Sequence, residues 1–257
     1  LGTVWVVYIT SVSFSKRGAF QSRAIMARKL QTIGFDADDT LWHNERFFQD
    51  TQSRFADLLQ DHAPRDDLDQ QLLEAERRNI GHYGFGVKGF TLSMIETAIE
   101  VTEGQAPNHV ISELLALGRD MLAHPIELLP HAREAAEAAA ETHRVLLITK
   151  GDLLHQERKL AQSGLGALFD GVEIVSDKTA DTYARIFSAR PGGAQAAMMV
   201  GNSMKSDVRP AIEAGGWGVF VPHDHAWDLE QADPPDSPRY RKIADLGSLS
   251  QLLREMG

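Results

Sequence analysis

Strand-like apolar runs alternate with helix-like segments from residue 145 to residue 222, and this alternation restricts the fold more than any other feature of the chain. V-L-L-I-T at 145–149 is apolar at every position but the last, as a parallel strand buried on both faces should be. A helix over 153–162 follows and closes at Ser163-Gly164. The pattern repeats with a strand at 171–176, a helix at 180–189, the strand A-A-M-M-V at 196–200, a helix at 207–214 closed by Gly215-Gly216, and a strand at 218–222. Upstream, residues 29–35 read as a first strand with Leu30, Ile33 and Phe35 apolar. Downstream come a Pro- and Asp-rich loop at 224–239, a short strand at 243–246 and a terminal helix at 249–256. The predicted fold class is α/β, with a doubly wound parallel sheet.

The stretch between the first two strands breaks the alternation. Phe47, Phe48, Thr51, Phe55, Leu58 and Leu59 recur at spacings of three and four, one face of an amphipathic helix. Helices are also expected at 66–79, 91–102 and 108–121, with a Gly-rich loop at 81–89. Three units result. Residues 43–123 are an inserted all-helical domain, residues 26–42 and 124–257 a core, and residues 1–25 an extension. That extension holds no Asp or Glu and several basic residues. It reads as a chain start placed ahead of Met26, or as a transit peptide; it is expected to pack poorly and carry no function.

In a doubly wound sheet, ligands sit at the carboxyl ends of the strands. The first strand runs into I-G-F-D-A-D-D-T-L-W, which puts Asp36, Asp38 and Asp39 within four positions. Period two sets Asp36 and Asp38 on one side of an extended backbone. Such a pair can hold Mg²⁺, a hard ion that prefers oxygen; alternatively it is only an Asp- and Thr-rich turn. The second strand delivers Thr149, the third is followed by Lys178, and the fourth ends in G-N-S-M-K-S-D with Asn202, Ser203 and Asp207. Taken singly, Thr149 is equally a β-branched strand residue, Lys178 a solvated helix-start charge and Asp207 an N-cap. Together the four strand ends describe a phosphate site with a metal.

The formal net charge is -10 among 257 residues. An acidic chain is poorly suited to a nucleic acid backbone. The apolar run at 4–9 is too short to span a bilayer. No Cys is present, which removes thiolate and disulfide chemistry and fits a reducing, cytoplasmic setting.

The order of these residues resembles the haloacid dehalogenase (HAD) superfamily in its phosphatase branch, over roughly residues 30–250. The D-x-D-x-T signature is Asp36, Asp38 and Thr40. The second motif is L-L-I-T-K-G, with Thr149 and Lys150. The third is Lys178 in S-D-K-T-A-D-T-Y, and the fourth G-N-S-M-K-S-D. The resemblance implies a Rossmann-like core and makes residues 43–123 its cap. It implies Asp36 as a nucleophile forming an aspartyl-phosphate and Asp38 as general acid and base. Lys178 pairs with the nucleophile and the phosphoryl group. Thr149, Lys150 and Lys178 bind substrate, and Mg²⁺ is held by Asp36, Asp38 (through its carbonyl), Asn202 and Asp207. Two residues depart from the family pattern: Asn202 stands where Asp is usual, and Asp39 where Gly is usual.

The expected function is Mg²⁺-dependent hydrolysis of a small phosphorylated metabolite. The alternatives are dehalogenation of a 2-haloacid by the same nucleophile, and a non-catalytic or phosphoacceptor module. Asp38 argues against the dehalogenase and the phosphoacceptor, because a halide leaves without a proton and a phosphoacceptor must keep its acyl phosphate, whereas Asn202 in place of Asp leaves the non-catalytic reading open. Gly84, Gly86 and Gly89 spell G-x-G-x-x-G without a preceding strand, so they read as a loop, in which His82, Tyr83 and Lys88 either reach over the site or belong to a plain surface turn. His223 and His225 have a metal-like spacing but no third ligand nearby.

Overall fold

The structure, a computed structural model, describes residues 29–224 and 227–256. The extension at 1–25 and His225 therefore lie outside the described residues. The first strand, β1 (Thr32–Phe35), leads into four helices: α1 (Glu45–Leu59), α2 (Arg65–Tyr83), α3 (Val87–Val101) and α4 (Asn108–Ala123). These bury Phe55, Leu59, Leu68, Leu72, Met94 and Leu114 in a core of their own. The two links to the sheet run side by side: the His43 N–H donates to the Glu127 carbonyl at 3.0 Å and the Leu129 N–H to the Leu41 carbonyl at 2.9 Å. The Gly-rich loop is shorter than its composition predicts. Gly81 lies within α2 and Gly89 within α3, leaving only Gly84–Gly86 between the helices. The flanking apolar positions Leu72, Val87 and Phe90 carry helix past the glycines because they pack into that core.

After α5 (Ala132–Thr142) the chain alternates through β2 (Arg144–Lys150), α6 (Leu153–Ser163), β3 (Gly171–Val175), α7 (Ala180–Ser188) and β4 (Ala197–Gly201). It closes with α8 (Arg209–Glu213), β5 (Trp217–Phe220), β6 (Tyr240–Lys242) and α9 (Leu249–Met256). Helix α6 starts where the Asp152 side chain accepts from the His155 N–H, and it stops at Gly164, which takes the left-handed conformation at φ 66°. The first strand starts later than residue 29. The last strand is Tyr240–Lys242 rather than 243–246, because Ile243 and Leu246 leave the sheet edge to pack into the core. The helix expected from residue 207 opens as a π-helical turn, Met204–Val208.

All strands are parallel, in the order β3-β2-β1-β4-β5-β6. The order reverses between β1 and β4, which opens a crevice at their carboxyl ends. Phe35 pairs with Leu147 on one side and Val200 on the other, so Asp36 leaves the sheet next to Gly201 and Asn202. Side chains alternate strictly between the two faces. Val145, Leu147, Met198 and Val200 pack with Leu249 and Leu253, whereas Leu146, Ile148, Ala197 and Met199 pack with Tyr183, Ile186 and Phe187. Each large apolar side chain buried this way contributes about 1.5–3 kcal/mol. That reserve lets the sheet carry a destabilising cluster of charge at its end. Among the described residues, no helix is long and apolar enough to cross a membrane.

Candidate active site

Asp36 is the first residue past β1, and its N–H still donates to the Val200 carbonyl at 2.9 Å. Its carboxylate is buried. One oxygen accepts from the Lys178 ammonium and the other from the Thr40 hydroxyl at 3.2 Å. Lys178 also donates to Asp207 at 2.7 Å. One ammonium thus serves two buried carboxylates. Burial and the Asp207 charge raise the Asp36 pKa to about 7 against the pull of Lys178. Burial works against the Lys178 charge, but Asp207 and Asp36 outweigh it and hold the lysine above its ordinary value. The second Asp207 oxygen accepts from the Ser203 N–H at 3.0 Å. Gly201 makes room for this: a Cβ there would lie 2.2 Å from Asp207 Oδ2.

Asn202 bridges the ends of β1 and β4. Its N–H donates to Thr40 Oγ1 at 3.0 Å. Its side-chain amide approaches Thr40 Oγ1 at 3.1 Å, and Asp36 Oδ2 and the Asp38 carbonyl at 3.2 Å each. The NH₂ end can donate to all three. Turned the other way, the amide oxygen joins Asp36 Oδ2 and the Asp38 carbonyl in a set of three oxygens. Adjacent ligands of an octahedral ion with bonds of about 2.1 Å sit about 3.0 Å apart. The residues present therefore fit Mg²⁺, with the amide supplying one charge fewer than a carboxylate would. Both Asp207 oxygens are already taken by protein donors.

The Asp38 carboxylate points away from this oxygen set. It accepts from Trp42 Nε1 at 2.6 Å, Lys159 Nζ at 2.9 Å and Gln156 Nε2 at 2.9 Å. Burial opposes its charge, yet Lys159, then Gln156 and Trp42, hold the Asp38 carboxyl below its ordinary pKa. Gln156 also donates to Thr149 Oγ1 at 3.0 Å, and the Thr149 hydroxyl in turn donates to the Lys150 carbonyl at a long 3.4 Å. Lys150 is less free than its place in the motif suggests: its ammonium meets Glu230 and Ser206 and lies 3.8 Å from the centre of the Phe85 ring.

Asp39 borders the cavity and is buried, with its carboxylate turned toward α1 rather than toward solvent. At φ 59° it turns its carboxylate to accept the Asn44 N–H at 2.8 Å and the Glu45 N–H at 2.9 Å, at the start of α1. Its own N–H is taken by the Trp42 carbonyl at 2.7 Å. Burial and Asp38 push the Asp39 carboxyl up to about 6, against His223 and these two N–H groups. His223 Nε2 stands 3.7 Å from Asp39.

Over the site lies a cavity of about 360 Å³. Its floor is the strand ends. Its roof includes Phe48, Glu76, Phe85 and Phe90 from the helical unit, with Trp227 from the loop after β5. Of the loop residues expected to reach the site, Tyr83 is exposed, and Lys88 makes an ion pair with Asp152 at 2.8 Å. Phe85 enters instead.

The family model for haloacid dehalogenase-like hydrolases matches residues 30–215. The chain belongs to that family. A haloacid dehalogenase-like hydrolase from Xanthomonas campestris is 41% identical, over 90% of this chain and 93% of its own, with a TM-score of 0.81. The HAD-hydrolase YfnB from Bacillus subtilis, solved with magnesium bound, is 17% identical over 88% of this chain and 99% of its own, with a TM-score of 0.60. L-2-haloacid dehalogenase from Xanthobacter autotrophicus, solved with chloropropionic acid covalently bound, is 19% identical over 89% of this chain and 100% of its own, also with a TM-score of 0.60. The two distant likenesses are equal and show the shared fold. No curated protein matches the chain in sequence.

Sequence reasoning for this HAD-like hydrolase missed three groups. Gln156 and Lys159 are spaced i, i+3 on α6, a signal that both meet one target. Glu76 extends the i, i+4 stripe of Leu68 and Leu72, so an acid sits where the pattern expects a buried residue. Trp227 and Glu230 lie in a segment that carries no periodic signal.

Proposed function

We propose that this hydrolase is a Mg²⁺-dependent phosphomonoesterase for a small phosphorylated metabolite. The observation that supports the reading most is at the nucleophile itself: Asp36 Oδ2 and the Asp38 carbonyl converge on the Asn202 amide at 3.2 Å each, a place where the turned amide would complete an oxygen set. A hard-cation site there suits a phosphoryl dianion and has no use in displacing a halide from carbon. When bound, Mg²⁺ would withdraw charge from the phosphoryl oxygens.

The chain's own residues divide the work. Asp36 attacks phosphorus, so that an Asp36 O–P bond forms as the bond to the alkoxide breaks. Lys178, fixed by Asp207, offsets the charge on the nucleophile and the phosphoryl group. The Thr149 hydroxyl donates to a phosphoryl oxygen. Asp38, held as a carboxylate by Lys159, takes a proton from the water that hydrolyses the aspartyl-phosphate. It hands that proton to the alkoxide of the next substrate, which closes the cycle. The helical unit acts as the cap that keeps bulk water and bulky substrates out.

The test is phosphate release from p-nitrophenyl phosphate and a panel of sugar, nucleotide and small-acid phosphates, with and without Mg²⁺. Mg²⁺-dependent release that Asp36→Asn abolishes is the expected result. Chloride release from 2-chloropropionate without phosphate release would replace this reading with the dehalogenase one.

A further inference from the structure

The cavity roof holds a carboxylate that the chemistry at the floor does not use. Glu76, on α2, lines the cavity with Phe48, Phe85, Phe90 and Trp227. It has no hydrogen-bond or ion-pair partner among the described residues. Burial alone pushes its carboxyl up to about 7, the mark of a charge with no counterpart supplied by the fold.

The cations that share the cavity are spoken for. Lys150 pairs with Glu230, Lys159 with Asp38, and Lys178 with Asp36 and Asp207. Lys88 pairs with Asp152. His155 also lines the cavity, and burial together with Lys159 holds its pKa down to about 4, so it is neutral. Among the described residues, a substrate with a second anionic group would find no free cation lining the cavity and would meet Glu76. A substrate with a cationic group would meet an unpaired carboxylate among aromatic rings, whose faces also attract cations.

We propose that Glu76 receives a protonated amine at the end of the substrate remote from its phosphate, so that the preferred substrates are aminated phosphate monoesters with an apolar or aromatic body. This rests on the phosphomonoesterase reading for the phosphate end and on Glu76 for the other. Phe85 has a second function in this arrangement. It packs edge-on against Trp227 with ring centres 6.2 Å apart and lies over Lys150. It thereby joins the helical unit to the core on the side of the cavity where the amine lies.

The test measures binding by calorimetry on the full chain in Mg²⁺ buffer. The probes are three non-hydrolysable phosphonates: 4-(aminomethyl)-, 4-ethyl- and 4-(carboxymethyl)benzylphosphonate. Wild type is expected to bind the amine about tenfold more tightly than its ethyl isostere, and the carboxylate most weakly. Glu76→Gln should bring the amine and ethyl compounds to equal affinity, and Glu76→Asp should keep part of the preference. An amine preference equal in wild type and Glu76→Gln, no preference in wild type, or no binding of any phosphonate would each overturn the proposal. Phosphate release from 4-(aminomethyl)phenyl phosphate is measured in parallel. If the Glu76-dependent preference holds while no phosphate is released, the amine site stands and the phosphomonoesterase reading falls.

Discussion

At the floor of the cavity, Asp36, Asp38, Asp39 and Asp207 each accept from two or more donors supplied by the chain. On the roof, Glu76 accepts from none among the described residues. The two regions share one solvent-poor space, yet one is internally satisfied and the other is not. Donors and charges held in place before the substrate arrives need no rearrangement during reaction, which suits groups that must act on every substrate. A charge left without a partner costs stability in the free protein and recovers it only with the right ligand, which suits a group that selects.

The sharpest way to break this contrast is to remove the nucleophile. Asp36→Asn should lower phosphate release about a thousandfold or more while circular dichroism stays unchanged; retained activity would remove Asp36 from its role. Next in size is Lys178→Met. It leaves Asp36 and Asp207 buried without their shared cation, and denaturant unfolding should show a loss of about 3–5 kcal/mol. An unchanged midpoint would mean that the floor is not held together by that ammonium. Lys159→Met should slow turnover by about tenfold to a hundredfold, with partial recovery in Lys159→Arg, because Asp38 loses the donor that orients it.

The roof should respond with the opposite sign. Burial raises the folded-state pKa of Glu76 from 4.5 to about 7. A raised carboxyl pKa means that ionisation opposes folding. The penalty is absent below about pH 4.5, grows to about pH 7 and is constant above it. Glu76→Gln should therefore stabilise the protein at pH 8, by about 1–2 kcal/mol after allowing for the side chain's remaining contact with water. That gain should vanish by pH 4. Melting temperatures at the two pH values check it, and a loss of stability at pH 8 would show that Glu76 is already satisfied.

The floor was far more legible than the roof. Asp36, Asp38, Thr149, Lys178, Asn202 and Asp207 each stand at a strand end or just past one, and the apolar runs mark those ends. In the parallel sheet the strand ends lie side by side, so linear order becomes proximity. Gln156 and Lys159 were harder to place, since α6 has to dock before their i, i+3 spacing meets Asp38. Glu76 was harder still. Which residues line the roof depends on how four helices stack and lean over the sheet, and helical periodicity describes each helix only against its own axis. The orientation of Asp39 was not legible for a local reason: a left-handed turn sends its side chain toward α1, and an Asp-rich stretch marks a turn without giving its hand.

That turn has a mechanical consequence. The first turn of α1 hangs on the carboxylate of the residue that follows Asp38, so the helical unit and the nucleophile loop share one load path. The hydrogen bonds between residues 41–43 and 127–129 anchor the same point from the other side. A displacement of α1 would therefore reach the nucleophile loop through Asp39. Any such displacement arrives at the peptide next to the one whose carbonyl faces Asn202.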